Sequence, residues 1–263
     1  MSQIGLIRFA IFVLVFAGFA LLERRYPARR WRTAMPSRWL SHATLGGLSL
    51  IIPTIILRLV PILAAAGAAR WAEGAQFGLL HWFSLPSLIA IPLAILLLDL
   101  AIYGQHRAMH RWPLLWRFHA VHHHDHDLDV TTALRFHPGE ILLSTFYKAG
   151  AAALLGAPLV AVVIHETLLS TMAIFNHANI ALPPRAERLI LPVLVTPTMH
   201  VRHHSIVRGE HDANYGNMLS IWDRLLGSYC PEPAFPGPFA IGLAETQTRN
   251  VTGLRWLIER PFR

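Results

Sequence analysis

The chain has little of several things that soluble proteins carry in quantity. Cys230 is the single cysteine, so no disulfide framework, cysteine-based zinc site or iron–sulfur cluster can be built from this chain alone. Lys148 is the single lysine, and charged residues make up only 14% of the sequence, where about a quarter is usual. The net charge of +8 is therefore almost wholly arginine. No zinc finger, helix-turn-helix or aromatic-interleaved basic patch accompanies it, which argues against a nucleic-acid partner. No Gly-x-Gly-x-x-Gly turn is present to seat a nicotinamide or flavin. What fills the sequence instead is apolar: 54% hydrophobic residues and a mean hydropathy of +0.42. These values indicate an integral membrane protein, with arginines on cytosolic loops facing anionic headgroups.

The apolar residues fall in runs. Ile4–Leu22 is broken only by Arg8 and is about the length a bilayer crossing needs. A signal peptide would carry its positive charge first and a small-residue cleavage site afterwards. Here Arg24, Arg25, Arg29, Arg30 and Arg32 follow the run, which predicts a retained span whose C-terminal end faces the cytosol. Leu45–Ala66, interrupted by Pro53, Arg58 and Pro61, reads as a kinked or partly interfacial helix. Leu85–Gly104 is apolar until Asp99 and returns the chain to the cytosol just before His106. Ile141–Asn176 breaks at Gly156-Ala-Pro158, giving two tight spans or a re-entrant hairpin whose ends emerge on one side.

The expected architecture is an all-α membrane bundle, about four spans or three plus a re-entrant hairpin, under a cytosolic helical cap. We expect one domain over residues 1–263, with N-terminal spans in 1–80, a core in 85–245 and a surface helix in 246–263, around Leu254–Leu257. Pro231–Pro238 reads as a stiff connector. A bacterial inner membrane, with the site on its cytosolic face, is the expected location.

Histidine is what the chain has in surplus. Twelve of its 16 histidines lie within residues 106–137 and 200–211. His106 and His110 are spaced i, i+4. His119, His122 and His123 form a His-x-x-His-His unit, His200, His203 and His204 repeat it, and His177 lies between. Residues three and four apart share a helix face, so each cluster aims its rings at one place. Imidazole is the commonest side-chain ligand for iron, copper, zinc and nickel. Histidines can simply decorate a polar cytosolic loop, but two identical triplets and a pair on one membrane face favour metal binding. The number of rings exceeds what one ion needs and suggests a two-metal centre. Asp99 lies within an apolar run, where acids are costly enough to suspect function.

The order His-x-x-x-His, His-x-x-His-His, His-x-x-His-His after apolar spans resembles the fatty acid hydroxylase superfamily, which includes sterol desaturases. The surrounding words are similar too: Leu115-Trp-Arg-Phe-His-Ala-Val-His-His, Thr131-Thr-Ala-Leu-Arg-Phe-His-Pro-Gly-Glu140, Asn176-His-Ala-Asn179 and the segment from Asn214 to Gly227. The resemblance implies an iron-dependent membrane oxygenase with two Fe ions, for which Zn can substitute in purified protein. Carried over by position, the ligands are His106, His110, His119, His122, His123, His177, His200, His203 and His204. Ala173 stands where some relatives place one more histidine.

The resemblance further implies O2 as co-substrate, a lipid substrate (fatty acyl chain, sterol or other isoprenoid) and a separate electron donor: a reductase, ferredoxin or cytochrome. Hydroxylation of an unactivated C–H bond is the leading reaction, with desaturation at the same site as the alternative. A histidine-rich metal transporter or sensor and a structural zinc protein are the non-enzymatic alternatives. A transporter would place ligands mid-span, whereas these flank the spans. Asp99, Glu140, Asp212 and Asp223 are expected to accept the outer N–H of ligating rings. Arg135, His137, Asn176 and Asn214 lie in matching words and are expected around the site. The His137-Pro-Gly sequence is superficially like a cytochrome b5 haem motif, but no room exists for that module. Lys148 reads as a snorkelling side chain. His165 and Glu166, in an apolar segment and outside every matching word, are candidates to line a substrate channel. His124, His126 and His211 read as surplus.

Overall fold

The computed structural model describes residues 3–231 and 240–263. All of the expected Pro231–Pro238 connector beyond Pro231 lies outside them. Among the described residues every extended element is helical, and the only strand-like pairings are isolated bridges at Leu194–Leu219 and Ser205–Ile241. The chain is an all-α membrane bundle.

Among the described residues four helices are long and apolar enough to cross a bilayer: α1 (Gln3–Arg25), α2 (Met35–Leu59), α4 (Ser87–Arg111) and α7 (Leu159–His177). Between them lie α3 (Ala65–Ala75), α5 (Pro113–His123) and α6 (Pro138–Leu155). The second apolar run is not one kinked helix. Its helix starts ten residues earlier, absorbs Pro53 and stops at Leu59, and α3 begins afresh at Ala65. The run from 141 to 176 resolves into the antiparallel pair α6/α7, broken at Gly156-Ala-Pro158 as its sequence suggests. Gly156 (φ +63°) packs on Gly78 (φ +108°) so closely that a Cβ on Gly78 would lie 2.2 Å from the Gly156 nitrogen. Only glycine fits both positions.

The apolar core sits at this end of the bundle and is made largely of alanine: Ala65, Ala68 and Ala69 of α3, Ala94 of α4, Ala149 and Ala152 of α6, and Ala161 of α7. Small side chains let helix backbones approach without the hydrophobic drive that water would give. Leucines and phenylalanines point outward instead; Leu14 is 72% exposed and Leu88 87%. In water such an inversion would be unstable, whereas in lipid it is the expected arrangement.

At the opposite end the C-termini of α1, α4 and α7 meet the N-termini of α2 and α6. There the polar residues are buried. Arg38 of α2 donates to Asp125 at 2.7 Å and to Asp129, and His42 donates to Thr131 at 2.9 Å. Glu23 of α1 accepts from Val130 N and Asn179 N. These contacts fix the segment 125–131 and the turn after α7 onto α1 and α2; the short helices of the cap are α8 (Pro184–Ile190), α9 (Pro197–His203), α10 (Arg208–His211), α11 (Ile221–Leu225) and α12 (Leu254–Glu259). The expected C-terminal helix is α12. It is docked rather than lying free, since Leu257 is fully buried against Leu45 and Val121.

Candidate metal centre

The histidines arrive from four helices and a helix end. His106 and His110 occupy successive turns at the C-terminus of α4, His177 is the last residue of α7, and His119, His122 and His123 close α5. His200 and His203 lie on α9, with His204 as its cap. Proline at the first position starts α5, α6 and α9. It fixes φ and needs no hydrogen-bond partner there, so these short helices begin at defined places.

All nine side chains converge, and they sort into two groups. The first is His106, His110, His119, His123 and His203; the second is His122, His177, His200 and His204. Within each group one nitrogen per ring lies within 4.8 Å of every other. The groups touch where His123 stacks on His204, with ring centroids 4.4 Å apart and planes inclined by 15°.

The hydrogen bonds show which nitrogens are turned inward. Nδ1 of His106 donates to Tyr215 O (2.7 Å), of His177 to Ala173 O (2.6 Å) and of His203 to Ala213 O (2.7 Å). Nδ1 of His119 donates to Glu140 Oε1 at 2.8 Å. Each acceptor fixes the tautomer that leaves Nε2 a bare lone pair. Two such lone pairs, on His106 and His119, then face each other at 3.2 Å. His177 Nε2 lies 3.0 Å from both His122 Nε2 and His200 Nε2. Both nitrogens of His110, His123 and His204, and Nε2 of His203, are buried with no hydrogen-bond partner. Buried polar atoms are rarely left so, and facing lone pairs repel unless a cation sits between them. The donor set fits a metal held by neutral imidazoles.

Burial, followed by the neighbouring rings, holds His122, His123, His200, His203 and His204 well below the usual histidine range. These five are therefore neutral at pH 7, the form a metal requires.

A cavity of about 340 Å³ opens onto both groups through His106, His119, His122, His177 and His200. Ile102, Met109, Phe136, Ile141 and Leu169 supply apolar walls, and the far end reaches Arg8, Lys148 and Glu166. On the other side Trp116 covers the first group, with ring centroids 5.0 Å from His110 and 5.4 Å from His123, and stacks on His211.

The sequence profile described as fatty acid hydroxylase matches residues 91–228, more than half of the 263 residues. The chain belongs to the fatty acid hydroxylase family. An ornithine lipid hydroxylase of Rhizobium tropici is 33% identical over 162 residues, covering 60% of this chain and 46% of that protein. An alkylglycerol monooxygenase of Danio rerio is 33% identical over 140 residues (53% of this chain, 30% of that protein). A cholesterol 25-hydroxylase of Rattus norvegicus is 23% identical over 163 residues (57% and 54%). The chain thus spans about half, or less, of the length of these curated relatives. No solved structure matches it significantly.

Around the rings the surroundings differ from the sequence expectation. Of the four acids expected to accept ring N–H groups, Glu140 alone does so at hydrogen-bond distance. Asp212 Oδ1 lies 3.4 Å from His110 Nδ1, but off the hydrogen-bond direction. Asp99 instead accepts from Leu219 N (3.2 Å) and the Trp222 indole (2.8 Å), fixing a cap turn to α4. Asp223 accepts from Tyr215 N (2.7 Å) and Gly216 N (2.8 Å), and so acts one step removed, on the peptide whose carbonyl receives His106.

His137 does not face the rings either. Its Nδ1 accepts from Gly139 N and its Nε2 donates to Ile258 O, because a residue before proline at a helix start is placed to cap it. Arg135 donates to Val121 O and Val251 O, tying α5 to the C-terminal segment. Asn176 donates to Asn217 O. Asn214, at φ +56°, donates to Cys230 O and accepts from Cys230 N. His124 donates to Thr246 or accepts from it at 3.0 Å and stays outside both groups.

Sequence reasoning missed the acceptors on Ala173, Ala213 and Tyr215, because a carbonyl carries no residue signature. It also missed the strut of Arg38 and His42. Two ionisable residues one turn apart at the start of an apolar helix were the available signal.

Proposed function

We propose that the chain is a membrane-bound di-iron oxygenase that hydroxylates an unactivated C–H bond of a lipid, using O2 and electrons from a separate donor protein. The nine histidines are its metal ligands, and residues 1–263 act as one domain. The observation that carries this reading is the convergence of nine imidazoles, in two groups with inward-facing unpartnered nitrogens, at the end of an apolar cavity. The names of the relatives, all lipid hydroxylases or monooxygenases, support it. The arginines that follow α1 and line the cap favour a cytosolic position for this end, in a bacterial inner membrane.

Held by the two groups of rings, iron would supply the redox chemistry that activates O2 and places one oxygen atom on carbon. The protein does the rest. Tyr215, Ala173, Ala213 and Glu140 hold the outer ring protons, which keeps each Nε2 aimed inward. Imidazole also resists oxidation in a way a thiolate would not. The apolar wall from Ile102 to Leu169 excludes water and lays a hydrocarbon chain against the rings.

The test is lipid profiling of a host with and without the chain, paired with His122→Ala. Lipids heavier by one oxygen atom that vanish in the variant are expected. Undiminished product from an iron-free, chelator-treated preparation would overturn the reading; products lighter by two hydrogens would assign desaturation.

A further inference from the structure

The far end of the cavity carries three charges that the metal chemistry does not use. Arg8 of α1 lies 3.1 Å from Glu166 of α7, and Lys148 of α6 lies 3.5 Å from the other oxygen of the same carboxylate. All three line the cavity, and the side chains remain only partly covered: 35% exposed for Arg8, 27% for Lys148 and 18% for Glu166. Lys148 stands ten residues into α6, and Glu166 seven residues into α7. The three therefore sit within the bundle's apolar thickness, where charge is costly and mostly functional. A simple lock between helices needs one cation for one carboxylate. Here two cations share one, leaving an excess positive charge that faces the cavity.

We propose that Arg8 and Lys148, held apart by Glu166, form a subsite for the acidic oxyanion head of a lipid whose chain runs along the cavity to the histidines. The ligand class is a single-chain lipid ending in a carboxylate or phosphate. The inference rests on the reading of the cavity as a substrate site, and it adds which lipids that site takes.

The geometry sets the reach. Glu140, beside the rings, and Lys148 are eight residues apart on α6, about 12 Å at 1.5 Å per residue, and Glu166 and His177 on α7 are separated by about 16 Å. An extended hydrocarbon advances about 1.25 Å per C–C bond, so the carbon presented to the rings lies about ten to thirteen bonds from the acidic head. Ile102, Met109, Ile141 and Leu169 line the path between, and the polar groups on that path, Gln105, Ser144, Ser170 and Asn217, carry no charge. Fixing the head would select both the lipid and the carbon.

The test is equilibrium binding to the metal-loaded protein in discs of neutral lipid, with palmitate, hexadecyl phosphate and methyl palmitate as probes. The acidic probes should bind about ten-fold tighter than the ester, the value of one charge-assisted contact. Whichever acid shows the larger gap identifies the head as carboxylate or phosphate. Lys148→Gln and Arg8→Gln should close the gap, and Glu166→Gln, which frees both cations, should widen it. Because this last change acts in the opposite direction, it keeps the test decisive even if the cation variants fold poorly.

Equal binding of acid and ester, or a gap unmoved by all three substitutions, would overturn the subsite. Oxygenated product is measured alongside. Product without a binding gap refutes the subsite and leaves the oxygenase standing; a gap without product does the reverse.

Discussion

Replacing Glu140 with glutamine isolates one outer contact of the metal centre. Glu140 is buried, and its Oε1 takes the Nδ1 proton of His119 at 2.8 Å while Oε2 has no partner. The amide of Glu140→Gln keeps the shape and an acceptor oxygen but removes the charge that makes His119 a stronger donor to a cation. Losing such a partner lowers metal affinity by about 10- to 100-fold, equivalent to about 1.4–2.8 kcal/mol.

The consequence should be local, because His119 belongs to the group of five and, among the described residues, Glu140 hydrogen-bonds no ring of the group of four. Titration of the iron-loaded variant with chelators of graded strength should therefore strip one iron per chain well before the other. The wild-type protein should hold both to higher chelator strength. Equal loss of both irons, or chelator resistance unchanged from wild type, would refute the assignment of Glu140 and with it the division into two groups.

Other consequences follow from the same contacts. Arg38→Met removes the guanidinium paired directly with buried Asp125 and Asp129, costing about 3–5 kcal/mol; a thermal midpoint in detergent equal to wild type would contradict this. Asn214→Ala removes both side-chain links to Cys230 and leaves at φ +56° a residue without the polar side chain that makes asparagine tolerant of it, so stability should fall by about 1–3 kcal/mol. Metal retention should fall with stability, since Tyr215 is the next residue. Burial, then Arg260 and Arg135, pushes His124 down to about 3 from an ordinary value of 6.5. The unfolded chain thus takes up a proton near pH 6.5 that the folded chain refuses, and stability should fall as pH drops from there towards 3. His124→Gln should flatten the thermal-midpoint profile over that window; an unchanged slope would count against it.

Much of this site was legible in the sequence because helical spacing converts directly into direction. His106/His110 and the two His-x-x-His-His units each present their rings on one face, and the fold needs only to bring those faces together. The break at Gly156-Ala-Pro158 was equally readable, since a turn between packed helices demands such residues. The extent of α2 was not. Arg38 and His42 stand just ahead of the apolar run that begins at Leu45, and their partners, Asp125, Asp129 and Thr131, lie about 90 positions away. Carboxylates near the motifs were natural candidates to hold the rings, yet main-chain carbonyls take three of the four fixed ring protons. Asp99 and Asp223 went to cap-loop groups instead, because buried backbone N–H groups must also be satisfied.

Anomalous diffraction at the iron edge, from crystals of the iron-loaded protein, tests the central claim most directly. The account predicts two peaks, one enclosed by His106, His110, His119, His123 and His203 and the other by His122, His177, His200 and His204. A single peak, or iron lying outside both sets of rings, would contradict it.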